Sequence, residues 1–190
     1  RYLQGVQANG LTFKLGHDLQ LNFFVDADFA GLWNYKSDQD PVCVKSRTGD
    51  VMTLGRCPVK WNSKLQTEIA LSTTEAEYIA LSQAMRKLIP VRRLLSEIVT
   101  AMDLPGVKET VIQSTVFEDN NGAIATATAV KMTPRRKHIA VKYHFFKSHV
   151  NNGDGITLSK IDTNLQKADI FTKGLAPQKC ADICKLLCGW

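Results

Sequence analysis

Four carboxylates lie where the predicted strands end or the predicted helices begin. They are Asp26, Glu77, Asp119 and Asp169, and they are spread over most of the 190 residues. Clustered carboxylates repel one another, so acids this far apart in sequence can converge only around a cation. Hard divalent ions such as Mg²⁺ prefer carboxylate oxygen as a ligand. The pattern therefore indicates a metal-dependent site that cleaves phosphodiesters.

The helix predicted after Ser72 gives the most specific argument for one of these acids. Its start matches a capping box, Ser72 to Glu75, and Glu77 falls near the middle of its apolar face while Glu75 points the opposite way. That face is formed by Ala80, Leu81, Ala84, Met85 and Leu88. An ionised carboxylate facing a core is costly unless a cation meets it. A buried ion pair with Arg or Lys, or a Glu at the rim reaching water, is the alternative.

The other three acids are less constrained by local pattern. Asp26 and Asp28 leave the first buried strand on the same side, so strand periodicity does not choose between them. Asp119 precedes a helix and could simply cap it. Asp169 lies about a turn and a half inside a predicted helix whose cap is Asn164, and a solvated surface acid would explain it equally well.

The elements that must position these acids alternate between strands and helices. Strands are predicted at 11–16, 21–26, 109–119 and 155–162, with a hairpin over 49–64 that turns at Gly55-Arg56. Helices are predicted from Ser72 to Ile89, over 91–104 after a break at Pro90, over 120–129 and 135–152, and from Asn164 onwards. This order predicts one mixed α/β domain.

Composition limits the kinds of protein that the chain can be. It is 44% hydrophobic and 22% charged, which suits a single globular domain, and its net charge of +6 suits a polyanionic partner such as nucleic acid. No apolar run reaches the roughly 18 residues of a membrane span, and the start has no methionine, so we expect a piece of a longer polypeptide.

Cysteines at 180, 184 and 188 line one helix face, where they form either a soft-metal site or apolar packing beside Ile183 and Leu187.

The helix predicted over 135–152 has a strongly basic start. Its apolar stripe is typical of core packing and consists of Ile139, Tyr143, Phe146 and Val150. Arg135, Arg136 and Lys137 crowd its N-terminal end, where the helix dipole disfavours cations. A bound phosphate would relieve this conflict, so these residues, with Lys142, are candidates for nucleic-acid binding. A solvated charge run or a short nuclear-localisation signal are the alternatives.

Five strings of the sequence resemble, in order and spacing, the ribonuclease H domain of copia-type retrotransposon Pol polyproteins. They are FVDADFAG, LSTTEAEYIALSQA, FEDNNGAI, RRKHIAVKYHFFK and KADIFTKGL. The opening RYLQGV and GLTFKLG resemble the segment that joins this domain to the reverse transcriptase. The resemblance implies an α/β ribonuclease H-like fold, with a mixed five-stranded sheet flanked by helices. Residues 1–20 would be the connecting segment and 21–190 the ribonuclease H domain.

The family pattern of Asp, Glu, Asp and Asp falls on Asp26, Glu77, Asp119 and Asp169. The resemblance implies that these residues bind two Mg²⁺ ions, for which Mn²⁺ may substitute, and hydrolyse the RNA strand of RNA–DNA hybrids beside an upstream reverse transcriptase. It also implies a cytoplasmic location within virus-like particles, with nuclear passage possible. The histidine that many ribonucleases H carry before the last Asp is missing from residues 160–169. A catalytically silent module that binds the hybrid, or another nuclease or integrase of the superfamily, is the alternative.

Overall fold

Five strands of the computed structural model form one mixed sheet in the part of the chain that it describes, which is residues 10–13, 20–33, 40–102, 112–129, 141–150 and 155–189. The strands are β1 (Leu21–Asp28), β2 (Arg47–Leu54), β3 (Cys57–Leu65), β4 (Ser114–Glu118) and β5 (Ile156–Lys160). Their order is β3-β2-β1-β4-β5, with β1 to β3 antiparallel and β4 and β5 parallel to β1. The predicted mixed five-stranded sheet is confirmed.

The hairpin of β2 and β3 turns at Gly55, as predicted. Gly55 has a φ of 57°, in the left-handed region that glycine adopts without strain. The strand predicted over 11–16 is wrong for residues 11–13, which have no regular secondary structure, and residues 14–16 lie outside the described ranges. The backbone N–H of Thr12 donates instead to the carbonyl of Cys188, at 2.8 Å.

The helices cover both faces of the sheet. They are α1 (Thr73–Ala101), α2 (Asn121–Thr128) and α3 (Pro177–Cys188). One face of the sheet packs on α1 through the larger core, and the other packs on α3 through Phe24, Val51, Ala168, Ile183 and Leu187. Within the described ranges, none of the helices combines the length and apolarity that a membrane span requires. The sheet therefore lies between two helical layers, and its strand ends are free to carry a site.

The predicted start of α1 is confirmed, and its predicted break at Pro90 is wrong. Ser72 caps the helix, and its Oγ accepts the backbone N–H of Glu75 at 3.1 Å. The helix continues through Pro90 to Ala101. Proline removes one helical hydrogen bond, but apolar side chains on both sides of Pro90, including Leu88 and Val99, pack on the core. This packing keeps the helix continuous, because it outweighs the lost bond.

The helix predicted from Asn164 onwards is also wrong. The structure has two short 3₁₀ helices, Thr163–Leu165 and Lys167–Phe171, before α3 begins at Pro177. The side chains of Asp162 and Gln166 accept backbone N–H groups at the starts of these helices, so Gln166, which lies inside the predicted helix, acts as a cap. Asp169 lies in the second 3₁₀ helix.

The predicted basic helix is described only in part. Residues 141–149 form a 3₁₀ helix, and 135–140, 151 and 152 lie outside the described ranges. In the predicted apolar stripe, Phe146 and Val150 are buried in the larger core. The core interpretation of the stripe is therefore confirmed for these two residues.

Candidate active site

Three of the four predicted acids converge at one edge of the sheet. Asp26, Glu77 and Asp119 each place a carboxylate oxygen within 4.8 Å of the other two. Asp26 lies in β1 and Asp119 directly follows β4, and these parallel neighbours are in register at Phe24 and Phe117. Two residues beyond that pair, Asp26 and Asp119 lie side by side. Glu77, early in α1, reaches the same point.

Burial makes this group of three acids electrostatically unfavourable without a cation. Asp26 is 2% exposed and Glu77 is 7% exposed. Burial raises the pKa of Asp26, and the nearby carboxylates of Asp169 and Asp119 raise it further, against a hydrogen bond from Thr172. The pKa of Glu77 is raised well above its usual range, first by burial and then by neighbouring carboxylates. Glu77 Oε2 is buried and has no hydrogen-bond partner among the described residues. The donor set therefore fits a hard divalent cation.

Asp169 lies beside this group but is neutralised differently. It is 0% exposed, and its two oxygens form ion pairs with two lysines. Lys173 Nζ is 2.9 Å from Asp169 Oδ1, and Lys179 Nζ is 2.6 Å from Oδ2. Lys173 Nζ also lies 3.5 Å from Asp26 Oδ2. The fourth predicted acid therefore adjoins the other three through Asp26, with a lysine ammonium between the two aspartates.

A glycine and a glutamine bring the Asp169 segment against β1. Gly49 is paired with Asp26 across β1 and β2, and a Cβ at Gly49 would lie 2.5 Å from Thr172 Cγ2 and 2.9 Å from the carbonyl oxygen of Ala168. Only glycine allows the 3₁₀ helix to approach the sheet this closely. Gln166 Nε2 donates to the carbonyl of Val25 at 2.8 Å, immediately before Asp26. Residues outside the acidic pattern thus set its geometry.

Glu118 is a fifth acid at this site, is fully buried, and was missed by the sequence interpretation. Its Oε1 accepts the backbone N–H of Asn120 at 3.0 Å, and its Oε2 has no partner among the described residues. Burial raises its pKa well above the usual range, and the Asp119 and Asp26 carboxylates add to the effect. The alternation of side chains along a strand could have indicated its burial, because Glu118 shares a face of β4 with buried Val116 and Ser114.

A cleft with a basic lining opens next to the acids. It has a volume of about 450 Å³ and is lined in part by Asp28, Lys45, Arg47 and Lys173. Asp28 packs over Gly31, where a Cβ would lie 1.7 Å from Asp28 Oδ2. Asp28 therefore lines the cleft and is outside the group of three acids. The cationic side chains make the cleft suitable for a phosphate.

The remaining candidates can be located only in part. Arg135, Arg136 and Lys137 lie outside the described residues, and Lys142 is described only as part of the 3₁₀ helix, so their nucleic-acid contacts stay predictions. His144 Nδ1 is 2.7 Å from the hydroxyl of Tyr78, which holds this histidine against α1.

The cysteine stripe on α3 fits apolar packing better than a soft-metal site. Cys180, Cys184 and Cys188 are half-buried beside buried Ile183 and Leu187. Burial, followed by the neighbouring Cys180, raises the pKa of the Cys184 thiol. Among the described residues, the side chains whose ligand atoms lie close enough to share a metal ion are Asp26, Glu77 and Asp119, and the cysteines are not among them.

Plant transposon proteins match this sequence over nearly its whole length. The chain is 34% identical over 189 residues to a retrovirus-related Pol polyprotein from transposon TNT 1-94 of Nicotiana tabacum, covering 100% of the chain. It is 32% identical over 176 residues to the corresponding polyprotein from transposon RE1 of Arabidopsis thaliana, covering 93% of the chain. The chain spans only 13% and 11% of these relatives, respectively. No protein-family model matches the chain.

Solved structures of ribonucleases H share the fold. An RNase H1 isolated from compost by a metagenomic approach has a TM-score of 0.53 at 15% identity, covering 81% of this chain and 93% of its own. That protein in complex with an RNA/DNA hybrid has a TM-score of 0.50 at 15% identity, covering 80% and 93%. The N-terminal RNase H domain of a Mycobacterium tuberculosis protein has a TM-score of 0.50 at 10% identity, covering 88% and 98%. By sequence and by fold, the chain belongs with the ribonuclease H domains of copia-type transposon Pol polyproteins.

Proposed function

We propose that this chain is a metal-dependent endoribonuclease that hydrolyses the RNA strand of RNA–DNA hybrids during reverse transcription of a retrotransposon. The observation that carries the proposal is the convergence of Asp26, Glu77 and Asp119, whose ligand oxygens lie within 4.8 Å of one another. Asp26 and Glu77 are buried and neighbouring carboxylates raise the pKa of each, so this group weakens the fold unless a cation compensates it. A site that keeps such a group is better explained by a bound ion than by stability.

The acids divide into two candidate ion positions. Asp26, Glu77 and Asp119 would hold one Mg²⁺, and Asp26 with Asp169 would flank a second, with Mn²⁺ as a substitute. Such ions, when bound, activate a water and stabilise the leaving oxygen of a displacement at phosphorus. Thr172 donates a hydrogen bond to Asp26 Oδ2 and so fixes the carboxylate common to both positions. Glu77 is fixed in turn by a hydrogen bond from the backbone of Ala27.

The cleft beside the acids supports a nucleic-acid substrate. Lys45, Arg47 and Lys173 line it, and phosphate contacts made by such side chains fix a nucleic acid without reading its sequence. The solved neighbour in complex with an RNA/DNA hybrid supports the hybrid as substrate. The 2′-hydroxyl would distinguish the RNA strand from the DNA strand. Because the relatives are long Pol polyproteins, we propose that a linked reverse transcriptase supplies the hybrid.

A catalytically silent module that binds the hybrid is the second candidate. The observation that favours it is the pairing of both Asp169 oxygens with lysines, which leaves this acid without a free oxygen for a metal ion. A positively charged surface around neutralised acids would bind nucleic acid without cutting it. The two candidates therefore differ in cleavage and agree in binding.

Cleavage of a hybrid labelled on its RNA strand separates the two candidates. We expect the protein to cut the RNA in Mg²⁺, and Asp119→Asn to lower the rate at least about 100-fold, because electrostatic groups at reacting centres contribute on this scale. Binding of the hybrid by Asp119→Asn should stay close to wild type. Asp182→Asn, on the exposed side of α3, removes the same charge away from the site and serves as the control. Tight binding without cleavage in Mg²⁺ or Mn²⁺ would establish the silent module, and full activity in Asp119→Asn would refute the site.

A further inference from the structure

Lys173 places a positive charge between two of the buried acids. Its ammonium nitrogen is 2.9 Å from Asp169 Oδ1 and 3.5 Å from Asp26 Oδ2. Both carboxylates are almost completely buried, whereas the Lys173 side chain is 37% exposed. The ammonium therefore meets the two acids from the solvent side and already compensates part of their charge.

The contacts of the second lysine differ. Lys179 pairs with Asp169 Oδ2, the oxygen that faces away from Lys173, and the structure records no ion pair between Lys179 and Asp26 in its described part. Removing Lys173 would thus take the cation away from Asp169 Oδ1 and Asp26 Oδ2 together, while Lys179 would still pair with Asp169 Oδ2 and Thr172 would still donate to Asp26 Oδ2. Lys173 alone among the described lysines pairs with both aspartates.

We propose that the Lys173 ammonium is a built-in cation that occupies the position between Asp26 and Asp169, and that it must move before a second divalent ion can bind there. This inference rests on the proposed function, since it deepens the use of the same acids. The ion held by Asp26, Glu77 and Asp119 does not compete with Lys173 for Glu77 or Asp119. The first position shares only Asp26 with Lys173, whereas both aspartates of the second position pair with this lysine, so Lys173 opposes the second ion more strongly than the first.

The structure gives the ammonium space into which it can move. Lys173 lines the cleft of about 450 Å³, and a Cβ added at the adjacent Gly174 would meet nothing within 4 Å. A hybrid phosphate in this cleft would offer Lys173 another anion, beside Lys45 and Arg47. Substrate and second ion would then favour the same displacement of the lysine, and each would help the other to bind.

Titration of the protein with Mn²⁺, followed by the electron paramagnetic resonance of the free ion, tests the competition without relying on activity. We expect wild type to bind one ion more tightly than a second, and Lys173→Met to bind the second at least about tenfold more tightly, because an ammonium beside the ligands is removed. Lys173→Arg keeps the charge and should bind the second ion no more tightly than wild type. Lys45→Met removes the same charge from the same cleft, away from the two aspartates, and is the matched control.

The outcomes separate this inference from the proposed function. Equal second-ion affinity in wild type and Lys173→Met, with the hybrid still cut, would overturn the role of Lys173 alone. An equal gain in Lys45→Met would also overturn it, because a general change of charge would then be the cause. Absence of any bound ion in every variant, together with an uncut hybrid, would refute the proposed function itself. Lys173→Gln provides the same comparison if Lys173→Met does not fold, as judged by circular dichroism.

Discussion

Replacing Glu118 by glutamine is expected to stabilise the metal-free protein. Glu118 is fully buried, and its Oε2 has no hydrogen-bond partner among the described residues. Its carboxylate also contributes to the raised pKa of Glu77. Glutamine has nearly the same shape and keeps a carbonyl oxygen that can accept the N–H of Asn120, which now bonds to Glu118 at 3.0 Å. The substitution therefore removes the charge and preserves the useful contact.

The size of the effect follows from the cost of a buried acceptor that is not satisfied. That cost is about 1–3 kcal/mol, and more for a charged group. In a domain of this length each kcal/mol moves the melting temperature by roughly 2–4 °C, so Glu118→Gln should melt about 2–12 °C higher at neutral pH. Because the folded pKa of Glu118 is raised, the folded protein binds more protons than the unfolded chain as the pH rises above about 4. Wild type therefore loses stability over this pH range, and the variant loses less.

Thermal unfolding of the metal-free protein, followed by circular dichroism at neutral pH and at about pH 3, which is roughly a unit below the pKa of a free Glu side chain, checks this prediction. The advantage of Glu118→Gln should be present at neutral pH and should disappear in acid, where Glu118 is protonated in both states. Glu97→Gln, on an exposed part of α1, removes the same charge and should change little. A variant no more stable than wild type at neutral pH, or equally stabilised in acid, would refute the electrostatic reasoning.

Three further predictions concern the supports of the site. Gly49→Ala should lower the free energy of unfolding in urea by about 1–3 kcal/mol, because the new Cβ would meet the carbonyl oxygen of Ala168 at 2.9 Å; unchanged stability would mean that the 3₁₀ helix can move away without cost. Ser72→Ala should lower it by about 1 kcal/mol, since the backbone N–H of Glu75 loses its cap, and Ser72→Thr should restore most of it. Saturating Mg²⁺ should raise the melting temperature of wild type more than that of Asp119→Asn, and equal shifts in calorimetry would place the ion elsewhere.

The fold was predictable where one periodicity dominated. The apolar face of α1 and the hairpin turn at Gly55 were read correctly, because helical and strand periods and turn chemistry act locally. The continuation of α1 through Pro90 was not predicted from the sequence, because it depends on core contacts with residues that are distant in the chain. The 3₁₀ helices around Asp169 were missed for a similar reason: Gln166 bonds to Val25, which lies 141 positions earlier in the chain.

The candidate site shows the same division between local and long-range information. The burial of Glu77 was predicted from its place on the apolar face of α1, and Glu77 is 7% exposed. For Asp119, the simplest alternative to a metal ligand was a helix cap. The structure shows instead that Asn120 caps α2, with its side chain accepting the N–H of Ala123. Glu118 lies outside the family pattern, which falls on the next residue, Asp119. The roles of the acids in catalysis stay predictions.

The pairing of acids with lysines explains how the centre can fold before any ion is present. Lys173 and Lys179 neutralise Asp169 and part of Asp26, so one fully buried carboxylate of the site is compensated by the chain itself. Glu77 and Glu118 receive no such pairing among the described residues, and theirs are the pKa values raised well above the usual range. The electrostatic strain is thus concentrated on the α1 side of the sheet edge. An ion bound by Asp26, Glu77 and Asp119 would relieve this strain. We therefore expect this position to bind an ion first, and the position between Asp26 and Asp169, where Lys173 lies, to bind one second.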